Sequence, residues 1–225
     1  MNSSFKQGEV EKHFDRIANS YDYFKNKNQF YYQNLKKLLS FLIPGGSEVL
    51  EYGCGTGDLI VYLKPKLGIG YDLSTQMVKI AREKYSRYKN MTFVNDVSII
   101  RKRFDFVFMS DVIEHLEDPV KHLKVVSKFL KKDGKFVCTM ANPLWEPILI
   151  VAEKLKLKMP EGKHFRWGMK QVNGFAKKAG MELIKHNYEL LLPIYLPFIS
   201  GLINRYLESI FKRFCFIEYA VFKKS

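Results

Sequence analysis

The segment 49–58 (VLEYGCGTGD) limits the folds open to this chain more than any other part of the sequence. Residues 49–52 (VLEY) have the composition of a buried strand. Gly53, Gly55 and Gly57 follow them. Glycine has no Cβ, so the main chain can turn tightly there and a ligand can approach the backbone closely. The segment predicts a strand, a tight turn and a new helix, which in an alternating α/β chain is typical of a nucleotide site.

The remaining sequence supplies the alternation that such a site needs. Helical spacing of apolar residues predicts helices from 10, over 28–43 and 58–63, from 74, over 118–134, and over 147–159, 168–179 and 202–214. Strand composition marks 48–52, 67–73, 91–97, 104–110, 135–140, 181–191 and 214–222. This order predicts a doubly wound, Rossmann-like α/β fold, with a mostly parallel seven-stranded sheet, helices on both faces and an antiparallel last strand.

A chain of 225 residues with 47% hydrophobic content suffices for one elaborated domain. We expect residues 1–44 to form a helical cap, 45–142 the cofactor-binding core, and 143–167 and 192–213 two insertions on the substrate side. The three cysteines form no CxxC pair and no cysteine–histidine cluster, which indicates neither disulfides nor a metal site. The polar segment 1–10 lacks a secretory signal pattern, and the apolar run 190–199 is too short to span a membrane, so a cytoplasmic protein is expected.

Asp72 is the acidic residue that a nucleotide site of this type requires. It closes the second predicted strand, 19 positions after Gly53, where a carboxylate can accept both ribose hydroxyls. The glycine spacing is Gly-x-Gly-x-Gly, whereas a dinucleotide site has Gly-x-Gly-x-x-Gly and seats a pyrophosphate on the helix N-terminus. At the end of the third strand, the Asp96 carboxylate and the Val97 backbone NH are placed to contact an adenine edge.

Four motifs along the first two thirds of the chain occur in a fixed order. They are Ala18-Asn19-Ser20-Tyr21-Asp22, then Glu51-x-Gly53-x-Gly55-x-Gly57, then Gly68-x-Gly70-Tyr71-Asp72-Leu73-Ser74 with Met77, and the segment 105–119 (DFVFMSDVIEHLEDP). Together they resemble the successive motifs of class I S-adenosylmethionine-dependent methyltransferases. The resemblance covers roughly residues 14–142 and is strongest to the branch of ubiquinone and menaquinone biosynthesis methyltransferases.

The resemblance implies S-adenosylmethionine as the cofactor and assigns residues to each part of it. Glu51 and the glycine turn would hold the methionyl part, Asp72 the ribose and Met77 the adenine, and Cys54 is expected there for its small size. The predicted cofactor-binding residues are Tyr21, Glu51, Gly53, Cys54, Gly55, Gly57, Asp72, Leu73, Met77, Asp96, Val97, Ser110 and Asp111. No metal is needed, because the sulfonium already carries the activating charge.

The acceptor is less well defined by the sequence. Methyl transfer to oxygen or nitrogen benefits from a nearby base, and His115 is the first candidate because it follows the fourth strand at the carboxyl edge of the sheet. His164 lies in the first insertion and is the second candidate. His115 can equally cap or pack against its motif without taking a proton, and the position of His164 favours an ordinary surface-loop residue over a chemical role. Whether oxygen or nitrogen is methylated, and the oligomeric state, stay open.

The formal net charge of +14 favours an anionic partner, either nucleic acid or an acidic lipid surface. Nucleic acid is disfavoured, because Ser110-Asp111-Val112-Ile113 stands where an adenine-amino methyltransferase has Asn/Asp-Pro-Pro-aromatic, and no extra RNA-binding module is present. An RNA methyltransferase therefore stays an alternative on charge alone.

Two apolar segments with basic residues favour a lipid-like acceptor. Residues 202–214 have the pattern of a basic amphipathic helix, with Arg205, Lys212 and Arg213 opposite the apolar side, and residues 147–159 are similar. Either segment can instead pack on the sheet or form a dimer contact. The expectation is a methyltransferase acting on a small-molecule or lipid-linked acceptor, peripheral to an anionic membrane, or a cofactor-binding membrane adaptor without catalysis.

Overall fold

The computed structural model describes residues 7–160, 162 and 164–225, so the first part of the polar N-terminal segment, 1–6, lies outside the described residues. The strands are β1 (Glu48–Tyr52), β2 (Leu67–Tyr71), β3 (Met91–Val94), β4 (Phe104–Ser110), β5 (Leu130–Ala141), β6 (Met181–Glu189) and β7 (Ile217–Lys224). The α-helices are α1 (Gln7–Lys27), α2 (Gln29–Leu42), α3 (Asp58–Tyr62), α4 (Thr75–Lys84), α5 (Pro119–Phe129), α6 (Glu146–Lys154), α7 (Met169–Lys178) and α8 (Ile199–Tyr206).

The strands form one sheet in the order β3-β2-β1-β4-β5-β7-β6. Neighbouring strands from β3 to β5 are parallel, and β7 runs antiparallel between β5 and β6. The strand order reverses between β1 and β4, and ligands of doubly wound sheets bind at the carboxyl edge of such a switch point. The predicted Rossmann-like sheet with an antiparallel last strand is confirmed.

Successive side chains of a strand point to opposite faces, and β1 shows how this divides the core. Leu50 packs on one face together with Val126 of α5 and Val172 of α7. Val49 packs on the other face with Leu39 of α2 and with residues of α3 and α4. Both faces are therefore covered by helices, and the carboxyl edge of the sheet is left for a site.

Two predicted boundaries in the core are wrong. β3 ends at Val94, and the predicted end of that strand is instead a short 3₁₀ helix, Val97–Ile99, because the Asp96 carboxylate accepts a hydrogen bond from the Ser98 NH at 2.8 Å. Asp133 and Gly134 do not end α5, which stops at Phe129 where β5 begins. A Cβ at Gly134 would lie 2.8 Å from the Phe104 carbonyl oxygen, so glycine there permits close strand pairing and does not cap a helix.

The two predicted insertion helices are shorter than their apolar patterns indicate. α6 ends at Lys154, and the next residues leave helical geometry, with Lys156 at a φ of 56°. The helix expected over 202–214 is replaced by α8, which begins after Phe198 and ends at Tyr206, and by a 3₁₀ turn, Lys212–Phe214. The reason lies in the side chains, since Asn204 and Glu208 accept hydrogen bonds from the backbone NH groups of the preceding loop.

Candidate active site

The glycine turn after β1 brings the main chain close to the ends of two other strands. Gly53 has a φ of 89° and Gly55 a φ of 51°, which is the left-handed region that glycine tolerates. A Cβ at Gly53 would lie 2.4 Å from Cγ2 of Val112, just after β4. The NH groups of Gly53 and Cys54 donate to the Tyr71 carbonyl at 2.7 and 2.9 Å. The sequence GCGTG thus folds as a turn fastened to the end of β2.

Asp72 lies directly beside this turn. One of its carboxylate oxygens accepts a hydrogen bond from the Gly55 NH at 2.7 Å, and the other accepts one from the Ser74 NH at 2.9 Å. Burial raises the pKa of the Asp72 carboxyl to about 6, although both hydrogen bonds oppose that rise. The carboxylate is therefore held in a fixed position against the glycine turn.

Two adjacent cavities follow the carboxyl edge of the sheet. The smaller, of about 80 Å³, is lined by residues that include Asp72, Leu73 and Met77. The larger, of about 350 Å³, is mostly apolar and is also lined by Glu51 and Cys54. The residues that line both cavities are Phe14, Tyr21, Gly53, Ser110, Asp111 and His115. With these walls in common, the cavities form two compartments of one site.

Helix α1 covers the glycine turn. The Tyr21 ring lies 3.2 Å from the position that a Cβ on Gly55 would take, and burial raises the pKa of the Tyr21 hydroxyl well above its ordinary value. Phe14, two turns earlier in α1, lines both cavities. The predicted role of Tyr21 at the edge of the cofactor site is consistent with this position.

An ion network fastens α1 to the elements beneath it. Lys25 Nζ lies 2.7 Å from one Asp58 oxygen, and Lys84 Nζ lies 2.7 Å from the other Asp58 oxygen and from Asp22. The Thr56 hydroxyl donates to Asp22 at 2.6 Å. Burial acts to raise the pKa of the Asp58 carboxyl, but the two lysines overcome this and lower it. Charged groups from α1, α3 and α4 and a hydroxyl from the glycine turn thus meet in one cluster.

The larger cavity has a polar end where β4 stops. The Tyr31 hydroxyl donates a hydrogen bond to Asp111 Oδ2 at 2.6 Å, and burial together with the Asp111 charge raises the pKa of that phenol. Asp111 has a φ of 53°, which is uncommon for a residue with a side chain. The neighbouring Ser110 hydroxyl accepts a hydrogen bond from Thr139 at 2.8 Å. Polar groups are therefore concentrated at the wall that the two cavities have in common.

Of the two candidate histidines, His115 is part of this wall and His164 lies behind it. His115 is buried and lines both cavities, and its ring packs edge-on against Phe14 with centroids 5.3 Å apart. The His164 ring lies 6.0 Å from that of His115 and lines neither cavity. His164 Nδ1 lies 2.9 Å from the Gly162 carbonyl and Nε2 lies 3.5 Å from Glu146. His115 therefore faces the site directly, and His164 contacts it through His115.

Most of the predicted cofactor residues converge on the two cavities. Those that line at least one cavity are Tyr21, Glu51, Gly53, Cys54, Gly55, Asp72, Leu73, Met77, Ser110 and Asp111. Gly57 lines neither and instead faces Phe93, whose ring a Cβ would meet at 2.6 Å. Asp96 is exposed, and neither it nor Val97 lines a cavity. A role for these two residues in adenine recognition stays a prediction.

Several lining residues were not assigned a role from the sequence. Tyr31, Lys25 and Trp145 line the larger cavity, and His122 lines the smaller one, where its Nδ1 lies 2.7 Å from the Tyr52 hydroxyl. Burial lowers the pKa of His122. Tyr31 is the case with a usable signal, because it falls on the inward face of α2 among leucines. The others are brought in by tertiary packing alone.

Thiol and metal chemistry find little support in the side chains. Cys54, Cys138 and Cys215 are free and buried, and burial raises the pKa of each thiol, which works against a nucleophilic thiolate. Over residues 7–160, 162 and 164–225, no group of three or more His, Cys, Asp or Glu side chains is arranged to hold a metal ion.

The fold is that of a class I methyltransferase. Its marks are a doubly wound sheet, a glycine turn at the switch point, a carboxylate at the end of β2 and an adjoining apolar cavity. The family model described as a methyltransferase domain matches residues 23–186, and the chain belongs to this family. The predicted family is confirmed, and with it S-adenosylmethionine as the cofactor that the family uses.

Proteins similar in sequence to this chain include an uncharacterized protein and a methyltransferase. An uncharacterized protein of Methanocaldococcus jannaschii is 34% identical over 125 residues, which are 55% of this chain and 58% of that protein. The demethylmenaquinone methyltransferase of Staphylococcus carnosus is 29% identical over 161 residues, covering 66% of this chain and 67% of that enzyme. The chain thus spans little more than half of the archaeal relative.

Among solved structures, the magnesium protoporphyrin IX methyltransferase of Synechocystis with bound S-adenosylmethionine has the same fold. Its TM-score is 0.65 at 15% identity, with the whole of both chains covered.

The residues of this chain fit the same cofactor. A partly buried carboxylate, Asp72, stands at the end of β2. A second carboxylate, Glu51, is buried beside the turn, and burial raises its pKa. A side chain at Gly53 would meet Val112, and one at Gly55 would meet Tyr21, so either would narrow the space beside the glycine turn.

Proposed function

We propose that this protein transfers a methyl group from S-adenosylmethionine to an oxygen or nitrogen atom of an apolar acceptor, which is a small molecule or is linked to a lipid. The observation that carries the proposal is the wall common to the two cavities. Ser110, Asp111 and His115 line both the smaller cavity, which contains Asp72, and the larger apolar cavity. An acceptor in the larger cavity would therefore meet the cofactor site at these three residues.

In this proposal the predicted residues that line the two cavities hold the cofactor. Glu51 and the glycine turn bind the methionyl part, Asp72 accepts hydrogen bonds from the ribose, and Leu73 and Met77 pack on the adenine. S-adenosylmethionine supplies a methyl group activated by its positive sulfonium. Tyr21 closes the site from α1, and the aromatic lining keeps water away, which favours transfer over hydrolysis.

The acceptor must lose a proton when oxygen or neutral nitrogen is methylated. We propose His115 as the group that takes it, because its ring lies in the wall common to both cavities. His164 would act behind it, as a partner that orients the His115 ring, and the Asp111 carboxylate lies at the same wall. The aromatic residues Phe24, Tyr31, Tyr32, Trp145 and Phe216 line the acceptor side.

The domain division proposed from the sequence is consistent with this arrangement. The larger cavity is lined by residues of α1 and α2, by residues between Trp145 and Met159, and by Pro193 and Ile194. The cap and both insertions therefore supply much of the acceptor side, and residues 45–142, together with Tyr21 of the cap, supply the cofactor side. We propose one domain in which the acceptor pocket is built onto the core.

The test combines cofactor binding with product formation. Calorimetry is expected to show S-adenosylmethionine binding that Asp72→Ala and Gly55→Arg abolish, while Asp133→Ala, at an exposed carboxylate far from the site, binds normally. Thermal unfolding of each variant separates loss of the site from loss of the fold. Normal binding by both site variants would overturn the cofactor assignment.

Acceptor classes are then compared by S-adenosylhomocysteine release. A panel of quinols, phenols, lipid amines, glycolipids and unmethylated RNA is expected to give release with an apolar member. The net charge of +14 is the observation that favours RNA, so release with RNA alone would support that alternative. Cofactor binding without release from any member would favour a methyltransferase-like adaptor.

We also propose a cytoplasmic enzyme that associates peripherally with an anionic membrane. Among the described residues, no helix is both long and apolar enough to cross a bilayer. What supports the association is the exposed apolar and basic surface around the larger cavity.

A further inference from the structure

The two insertions expose an unusual amount of apolar side chain. In the second, the consecutive residues Ile194 to Ile199 are all exposed, and the Phe198 side chain is 90% exposed. In the first, Ile148, Val151 and Leu155 are more than half exposed. Contiguous exposed apolar surface is rare on soluble monomers and marks an interaction site.

The larger cavity reaches the surface between these two segments. Ile148 of α6 is 56% exposed, Ile194 is 57% exposed, and both line the cavity. The segments are also tied together around it, since the Trp145 indole NH donates to the Phe214 carbonyl at 2.8 Å. The cavity thus opens between two exposed apolar edges.

The charge of this surface has one sign. Among residues 143–160 and 190–214, every exposed charged side chain is basic, and the acidic residues Glu146, Glu153 and Glu208 are all partly buried. The exposed basic residues are Lys154, Lys156, Arg205, Lys212 and Arg213. Apolar side chains interleaved with lysine and arginine match the interface of an anionic bilayer, where tails take the apolar groups and headgroups the cations.

Phe198 adds a second, independent feature. Its backbone has a φ of 63° and a ψ of −37°, a conformation that is strained for a bulky residue. The strain presents the most exposed large apolar side chain of the described residues to solvent. In water alone, a glycine at this position would be at least as stable.

We infer that residues 143–160 and 190–214 form a docking surface for anionic lipid bilayers, and that the acceptor enters the larger cavity from the bilayer. Phe198 and its apolar neighbours insert among acyl chains, and the basic residues contact headgroups. The inference assigns a surface to the peripheral membrane association proposed above. The entry route also rests on the proposed methyl transfer, whereas the docking surface does not.

The experiment uses the full chain and vesicle co-sedimentation without acceptor. Vesicles of phosphatidylcholine alone are compared with vesicles that also contain phosphatidylglycerol, at low and high salt. We expect binding only to the anionic vesicles, with a steep loss on adding salt. Phe198→Gly should weaken the partition coefficient by about tenfold or more, and Lys212→Ser and Arg213→Ser by about fivefold for each charge removed.

Phe198→Gly is informative because it relieves backbone strain, so its melting temperature should equal or exceed that of the parent. Phe41→Ser, at a side chain 74% exposed on α2, is the control and should bind vesicles normally. The inference is overturned if the parent ignores anionic vesicles, or if Phe198→Gly binds as the parent does. A concentration-dependent dimer that Phe198→Gly abolishes, without vesicle binding, would assign the surface to a second copy of the chain.

One further variant separates this inference from the proposed function. Asp72→Ala should lose cofactor binding in solution and still sediment with anionic vesicles. If the parent chain fails to bind cofactor but docks on vesicles, the proposed methyl transfer falls and the docking surface stands. If it binds cofactor and releases product in solution but never docks, the docking surface falls alone.

Discussion

The Tyr31 hydroxyl donates a 2.6 Å hydrogen bond to Asp111 Oδ2, joining α2 to the residue that follows β4. Asp111 holds a left-handed backbone conformation, with a φ of 53°, which normally costs about 1–3 kcal/mol. The raised pKa of Tyr31, which follows from burial and from the Asp111 charge, keeps the phenol protonated at neutral pH. The pair therefore fixes a carboxylate at the wall between the two cavities.

Tyr31→Phe removes the hydrogen bond while keeping the ring. We expect kcat to fall about 10- to 100-fold, because the Asp111 carboxylate loses its alignment at the wall where cofactor and acceptor would meet, while the Kd for S-adenosylmethionine changes little. Single-turnover kinetics and calorimetry measure the two quantities separately. Tyr23→Phe, at an exposed tyrosine of α1, is the matched control. An equal loss of cofactor affinity would place Tyr31 in cofactor binding instead.

The raised pKa of Asp72 predicts that the free energy of unfolding and the cofactor affinity change with pH in opposite directions. Its pKa is raised from an ordinary value of 3.8 to about 6, chiefly by burial. A raised carboxyl pKa means that the folded apo protein favours the protonated form, so this contribution to the free energy of unfolding is present below pH 3.8 and is lost as the pH rises through about 6. Cofactor affinity should rise over the same interval, because the ionised carboxylate is the better acceptor for ribose hydroxyls.

Asp72→Asn removes the titrating group and keeps a similar shape. Urea unfolding and calorimetry at pH values from well below to well above the folded pKa of about 6 should show both dependences flattened in this variant. If the parent and Asp72→Asn lose cofactor affinity in parallel at low pH, another group controls binding.

The glycine turn and the sheet order could be predicted because their signals are local. Strand composition, helical spacing and three glycines at alternate positions lie within a few residues of one another, and Asp72 follows directly from the end of β2. These features predict the cofactor side of the proposed site. Local signals fail at Gly134. The pair Asp133-Gly134 is typical of a helix end, but Gly134 instead allows close approach to Phe104, 30 residues earlier.

The acceptor side could not be predicted in the same way. Tyr31 and Asp111 are 80 positions apart, and nothing in either local sequence indicates that they meet. Strand composition predicts that Asp96 ends the third strand, but β3 stops at Val94. The Asp96 carboxylate caps the next turn, and this competes with extension of the strand. Apolar spacing alone also predicts too long a helix at α6. The chain leaves the helix after Lys154, and the carbonyls that follow accept hydrogen bonds from Lys27 and Asn28.

Gly53 is expected to tolerate no side chain. A Cβ there would lie 2.4 Å from Val112 Cγ2, and the φ of 89° is itself unfavourable for alanine. Gly53→Ala should lower the free energy of unfolding by about 1–3 kcal/mol. Adding Val112→Ala removes the clash but not the backbone strain, so the double variant should recover part of the loss. Full recovery in urea unfolding would show that the clash alone requires glycine.

Lys84 provides a way to test whether α1 controls cofactor exchange. Its Nζ lies 2.7 Å from both Asp22 of α1 and Asp58 of α3, and its side chain is 32% exposed. Burial acts to lower the pKa of Lys84, but the two carboxylates raise it, so the ion pairs persist at neutral pH. Lys84→Met removes the cation between α1 and α4, while Lys25 still neutralises Asp58 and Thr56 still binds Asp22.

Because Tyr21 of α1 lies over Gly55, loosening α1 should speed release of S-adenosylhomocysteine by about fivefold. Stopped-flow displacement measures that rate, and the difference from the parent should shrink at high salt, where the parent's ion pairs are screened. Lys79→Met, at an exposed lysine of the same helix, should release product at the parent's rate. Unchanged release by Lys84→Met would mean that the cofactor leaves without movement of α1.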